Sequence, residues 1–201
     1  MKAKLYLETT IPSYLVARPS RDLLIAAHQQ LTREWWESRS PAFDLYVSEP
    51  VLEEAGAGDA ILAKKRLELL TDIRVLALTE GILKLAESLV AEGPIPRKAA
   101  GDALHIAIAT AYGCEYLLTW NCRHIANAEI QRTPEELMGG QAGMNLKDEI
   151  VEEVRAAREA YAARFNYDLA EMFKDLKAKE QARNRNVAAL QPVEPDSALS
   201  N

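Results

Sequence analysis

The feature that most constrains this chain is an alternation of two periodicities. Four short strand-like runs, residues 4–8, 44–48, 73–78 and 115–119, are each separated from the next by segments with helical spacing. Such alternation predicts an α/β chain, with helices packed against a mostly parallel sheet. The helix "RDLLIAAHQQLTREWWESR" is expected to face the core through Leu23, Leu24, Ala27, Leu31 and Trp35. Pro50 opens a helix after the second run, as proline can in a first turn. Asp59 and Thr79 read as helix N-caps, and Gly93 and Gly113 as helix stops. Of the adjacent Trp35 and Trp36, one is expected in the core and the other at an interface.

Composition narrows the function classes. The chain has 201 residues, is 48% hydrophobic and carries a net charge of −6. That suits one compact domain with a small appendage. No apolar run approaches the ~20 residues of a membrane span, and the N-terminus enters a strand pattern directly, without a leader. Cys114 and Cys122 are the only cysteines, so a cytoplasmic, reducing setting is expected rather than a disulfide or zinc framework. The acidity argues against a protein that coats nucleic acid, but leaves open an enzyme that gathers cations in an acidic pocket.

Polar residues stand where such a pocket forms, beyond the carboxyl ends of parallel strands. Glu8 ends the first run, Glu54 follows the second by a helical turn, and Asn121 follows the fourth. Asp102 opens the apolar helix "DALHIAIA". Carboxylates forced together need a screening cation, and hard oxygen ligands favour Mg2+ or Mn2+. The neighbouring Glu53 is expected to face solvent. His105, three residues after Asp102, reads first as a packed or rim histidine, and His124 as a cap.

In this order, "YLETTIPSYL", "EPVLEEAGAGD", "GDALHIAIA" and "LLTWNCRHI" resemble the PIN-domain ribonucleases, in particular their bacterial virulence-associated toxin C type. The resemblance covers about residues 1–138. It implies a three-layer α/β/α sandwich and a metal-dependent endoribonuclease acting on single-stranded RNA, the toxin of a type II toxin–antitoxin pair. By motif match Glu8, Glu54 and Asp102 would hold Mg2+ or Mn2+, and one of them would take the proton of the attacking water. Asn121 stands where many members have a fourth acid. Thr9 and Thr119 are assigned to orienting a carboxylate or phosphate. Arg123, or else Arg18 or Arg21, would hold substrate. A homodimer is the family expectation. The alternative is a PIN fold kept as a binding module for protein or RNA.

After "TPEELMGGQAGMN" the character changes. Residues 139–145 read as a linker, 146–182 as a helical segment and 183–201 as an extended or disordered tail. From residue 141 onward there are 9 basic and 11 acidic residues, so this is no nucleic-acid arm. The segment "DEIVEEVRAAREAYAARFNYDLAEMFKDLKAKEQ" resembles the companion antitoxins of that toxin branch. It implies inhibition, with Val151, Val154, Ala157 and Tyr161 laid in a groove, an apolar patch at Phe165, Tyr167, Leu169, Met172 and Phe173, and Arg183 or Arg185 reaching the acidic pocket. The other reading is a helical hairpin that caps the core or mediates dimerisation. Toxins of this type usually carry a further helix and edge strand before "TPEELMG". Here only Gln131 and Arg132 separate Ile130 from Thr133. Losing that strand exposes a sheet edge; either the fold is weakened or the tail covers the edge.

Overall fold

The computed structural model describes residues 2–92, 95–122, 125, 148–183 and 187–192. Its architecture is mixed α/β, a parallel sheet flanked by helices with additional C-terminal helices. The strands are β1 (Ala3–Leu7), β2 (Phe43–Ser48), β3 (Arg74–Leu76) and β4 (Tyr116–Leu118), in the order β3-β2-β1-β4. The sheet grows outward from β1 to β3, then returns to β1's other side with β4, so the topology reverses between β1 and β4. Parallel pairing sets Leu7 beside Leu118, and the residues just past both strands therefore emerge side by side. The C-terminal halves of β1 and β2 are fully buried, as strands covered on both faces require.

Eight α-helices occur among the described residues. They are α1 (Thr10–Val16), α2 (Leu23–Ser38), α3 (Glu49–Ala55), α4 (Ala60–Leu69), α5 (Glu80–Ala91), α6 (Ala100–Ala111), α7 (Glu149–Ala163) and α8 (Leu169–Arg183). The short α1 is absent from the expected elements. It follows β1 so closely, with Pro12 and Thr10 inside it, that no full helical period shows in the sequence. Asp59 caps α4 as expected, accepting from the amides of Ile61 and Leu62. Thr79 occupies the N-cap of α5 without a side-chain bond. Gly113 closes α6 at φ 57°, where glycine has no steric cost. Gly93 lies outside the described residues, as does the expected linker.

Helix α2 departs from expectation. Its buried side chains are Ile25, Gln29 and Thr32, whereas Leu23, Leu24 and Leu31 are 88%, 42% and 54% exposed. Polar groups explain the rotation. Gln29 bonds the Arg18 carbonyl (2.8 Å) and the Ser20 amide (3.0 Å), and Thr32 accepts from Trp120 Nε1 (2.9 Å). Of the expected stripe, Leu23, Leu24, Ala27 and Leu31 therefore face solvent. Trp35 and Trp36 are alike, both half-buried against the core margin.

The C-terminal segment is a helical hairpin built into the fold. Asn166 and Tyr167 adopt φ 52° and 59° at its turn, and Asp168 caps α8 through the amides of Ala170 and Glu171. Leu169, Met172, Phe173 and Leu176 of α8 belong to the main core. Beyond it, Val187 bridges Val75 in parallel, and the Ala188 amide donates to the Val75 carbonyl at 2.8 Å. Residues 187–188 thus lie on the β3 edge of the sheet. No helix among the described residues is long and apolar enough to cross a membrane. Phe173→Ala is expected to cost about 3–5 kcal/mol and to keep a single unfolding transition, measured by urea denaturation. A loss confined to a separate, earlier transition would mean that α8 is not part of this core.

Candidate metal centre

The point where the strand order reverses, between β1 and β4, is where open parallel sheets form their crevices. Glu8 sits there, one residue past β1 and 0% exposed. Its Oε2 accepts from the Thr10 amide (3.0 Å), the Thr10 hydroxyl and the Thr119 hydroxyl (2.8 Å). Helix α1 starts immediately beyond Glu8, so the tight turn supplies its own donors to this carboxylate. The expectation that Thr119 orients a carboxylate fits this geometry, and Thr9 does the same for Glu54 Oε2.

Glu54 reaches the site from α3, and Asp102 from the first turn of α6. Asn121, past β4, is fully buried, and its side-chain amide donates to Asp102 Oδ1 at 3.1 Å. Its own Oδ1 accepts from Arg155 at 2.8 and 3.2 Å. Residues from four separate segments therefore converge. Arg18 and Arg21 are exposed, and neither contacts these carboxylates among the described residues. Arg123 and His124 lie outside those residues.

Two participants exceed the sequence expectations. His105 is wholly buried. Its Nε2 lies 3.0 Å from Glu54 Oε1 and its Nδ1 2.8 Å from the Tyr6 hydroxyl, itself 2.6 Å from Ser48 Oγ. A carboxylate only accepts, so Nε2 carries the hydrogen. Glu8, Glu54 and His105 place ligand atoms within 4.8 Å of one another, a set able to coordinate a metal ion. The spacing Asp102–His105 on one helix face was the available signal.

The second is Arg158 of α7. Its Nε and Nη2 donate to Glu54 (2.6 and 2.7 Å), Nη2 also to Glu8 and Nη1 to Asp102. The sequence points to Arg183 or Arg185 for this reach. Arg183 instead lies 2.7 Å from Glu49 and 3.6 Å from Glu53, and Arg185 is outside the described residues. Glu53 is correspondingly paired with Lys179 at 2.8 Å rather than solvated. The missed signal is the stripe Val151, Val154, Arg158, Ala162, spaced i, i+3, i+7, i+11 and buried throughout. One arginine interrupts an otherwise apolar face. Gly101 makes room for it, since a Cβ there would lie 2.6 and 2.8 Å from Arg158 Cγ and Cδ.

Electrostatics follow from this geometry. Burial opposes the charge on Glu54, but the Arg158 guanidinium and His105 outweigh it and hold the carboxyl well below the usual range. Burial likewise opposes the charge on Arg158, and Glu54, Glu8 and Asp102 reverse it. The donors are mainly hard carboxylate oxygens, the chemistry of a Mg2+ or Mn2+ site, and the guanidinium lies where such an ion would neutralise them. Arg158→Leu is expected to lose about 3–5 kcal/mol near pH 7, because it strands buried charges. The pH slopes should oppose one another. In the native chain Glu54 is depressed, so its contribution is full above the ordinary carboxylate range and is lost as pH falls below it. Without the guanidinium the clustered carboxylates raise one another, and stability falls as pH rises through that range. Thermal melts of the two chains from about pH 2 to pH 8 check this, read as the difference between them so that the raised Glu49, common to both, cancels; a difference that does not change with pH would contradict it.

The PIN domain family model matches residues 5–130, well over half of the chain. No curated protein and no solved structure matches it.

Proposed function

Because the chain belongs to the PIN-domain family, we propose that it is a metal-dependent endoribonuclease that hydrolyses phosphodiester bonds of single-stranded RNA. In this reading it is the toxin of a type II toxin–antitoxin system, with an antitoxin-like inhibitory segment on the same chain. The observation that carries the nuclease reading is the convergence of Glu8, Glu54 and His105, whose ligand atoms lie within 4.8 Å of one another; the fork of Arg158 onto Glu8, Glu54 and Asp102 supports the inhibitory segment. Residues 1–138 form the nuclease unit, 139–145 the linker, 146–182 the inhibitory segment and 183–201 the tail.

Glu8, Glu54 and Asp102 would hold Mg2+ or Mn2+, with His105 beside Glu54. The ion, when bound, supplies charge neutralisation at the phosphoryl oxygens and an activated water. The chain's own residues do the positioning. Thr10 and Thr119 fix Glu8, Thr9 and His105 fix Glu54, and Asn121 fixes Asp102. One of the three carboxylates accepts the proton of the attacking water. Asn121 adds no charge, so its part is orientation. Arg158 competes with the ion for the same oxygens, which is the basis of inhibition. The two free cysteines, Cys114 and Cys122, suit a cytoplasmic protein.

A homodimer draws support from α2, where Leu24, Ala27 and Leu31 form an exposed apolar stripe. The doubly substituted Leu24→Glu, Leu31→Glu chain is expected to sediment as a folded monomer where the native chain is a dimer; a native monomer rejects the dimer. The rival reading is a PIN-fold binding module, favoured by Asn121 in place of a fourth acid and by Arg158 filling the cluster. Cleavage of a mixed single-stranded RNA pool in Mn2+ separates the two. Arg158→Gln is expected to cleave about tenfold faster or more than the native chain, and Asp102→Asn in that background to abolish it. A folded Arg158→Gln chain that binds no Mn2+ and cuts nothing would favour the module.

A further inference from the structure

Beside the carboxylates runs a groove of ≈ 430 Å³, walled on one side by α7 and lined in part by Ser13, Glu54, Gly58, Arg66 and Glu153. Arg66 of α4 is only 3% exposed. Its Nε donates to the Ala55 carbonyl (2.9 Å) and its Nη2 to the Ala57 carbonyl (2.5 Å), which pins the guanidinium plane. Nη1 is turned to Glu153 of α7, 3.4 Å away. That contact is loose, because a charge-assisted bond of this type is normally 2.7–2.9 Å. The Glu153 side chain is 47% exposed. It is also the one carboxylate within ion-pair distance of Arg66 among the described residues.

Two further features mark the same place. Ser13, a residue 4% exposed, lines the groove, and its buried Oγ has no hydrogen-bond partner among the described residues. Gly58 has φ +79°, and a Cβ there would lie 2.9 Å from Glu153 Oε1. Glycine thus leaves room for an anionic oxygen beside the guanidinium. A fixed cation, an idle hydroxyl donor and a bare backbone are the components of a phosphate-oxygen site. An acidic protein that processes a polyanion needs such a local cation next to its carboxylates.

We propose that Arg66, with Ser13, anchors a backbone phosphate of single-stranded RNA at the floor of this groove, and that Glu153 occupies the anchor in its place. The substrate class rests on the nuclease reading above; the anion site rests on Arg66, Ser13 and Gly58. Helix α7 then carries two mimics, Arg158 for the cation and Glu153 for the phosphate, and its docking closes both sites together.

The test is fluorescence anisotropy of a labelled, mixed-sequence single-stranded RNA with the full chain in EDTA, over a range of salt. Glu153→Gln is expected to bind about fivefold more tightly than the native chain, with the log–log salt slope steeper by ~0.7, the value for one added phosphate contact on a single strand. Glu159→Gln, an equal charge change at an exposed position of α7, is expected to leave both unchanged. Arg66→Lys in the Glu153→Gln chain should cancel the gain, since lysine keeps the charge but not the fork. Equal effects of Glu153→Gln and Glu159→Gln, no gain at all, or a gain that survives Arg66→Lys would each overturn the proposal. Cleavage in Mn2+ is scored separately. Cleavage without Arg66-dependent binding rejects the anchor and keeps the nuclease. Arg66-dependent binding without cleavage by any variant does the reverse.

Discussion

The arrangement depends on one buried guanidinium. Glu8, Glu54 and Asp102 come from different elements and meet with almost no access to water. Alone, that concentration of negative charge would oppose folding around it. Arg158 resolves this by reaching all three carboxylates at once, and its planar fork can do so where a lysine point charge could not. The same contacts explain why α7 lies where it does. Its apolar residues Val151, Val154 and Ala162 flank the arginine on the buried face, so the hydrophobic and ionic demands of the helix are met by one orientation.

A second charged seam secures the rest of the hairpin. Lys179 joins Glu53 and Asp175, Arg183 lies over Glu49 and Glu53, and Lys177 bonds the Leu78 carbonyl at 2.7 Å. Glu49 is buried strongly enough that its carboxyl is pushed up to about 7 despite Arg183, whose Nε approaches Glu49 Oε1 without hydrogen-bond alignment. This seam is therefore less well matched than the Arg158 cluster. The apolar face of the hairpin belongs to the core, while its polar contacts run along this seam. It also unites the two alternatives left open for the tail: the hairpin caps the core and, through Arg158, covers the carboxylates.

Much of the site was legible in the chain. Glu8, Glu54, Asp102 and Asn121 could be placed because each follows or precedes a recognisable strand, and parallel sheets carry strand ends to one edge. The hydroxyls of Thr9 and Thr119, which the family resemblance singles out, bond Glu54 and Glu8. His105 was undervalued, because a histidine in an apolar helix looks like packing until Tyr6 and Glu54 are found on its two nitrogens. The buried face of helix α2 is not legible in the sequence, because the polar Gln29 and Thr32 turn inward to satisfy loop and tryptophan groups. Apolar spacing alone does not register such bonds.

Local patterning, then, determined the strands, most of the helices and the residues that end at the carboxyl edge, since these follow from periodicity and turn chemistry within short windows. Which arginine neutralises the carboxylates, which sheet edge the tail joins and which face of α2 is buried were decided by tertiary structure alone. Those outcomes depend on distances between segments far apart in sequence. Arg158 and Glu8 are 150 positions apart, and their attraction, weak in water, becomes strong only where the fold brings them together away from it.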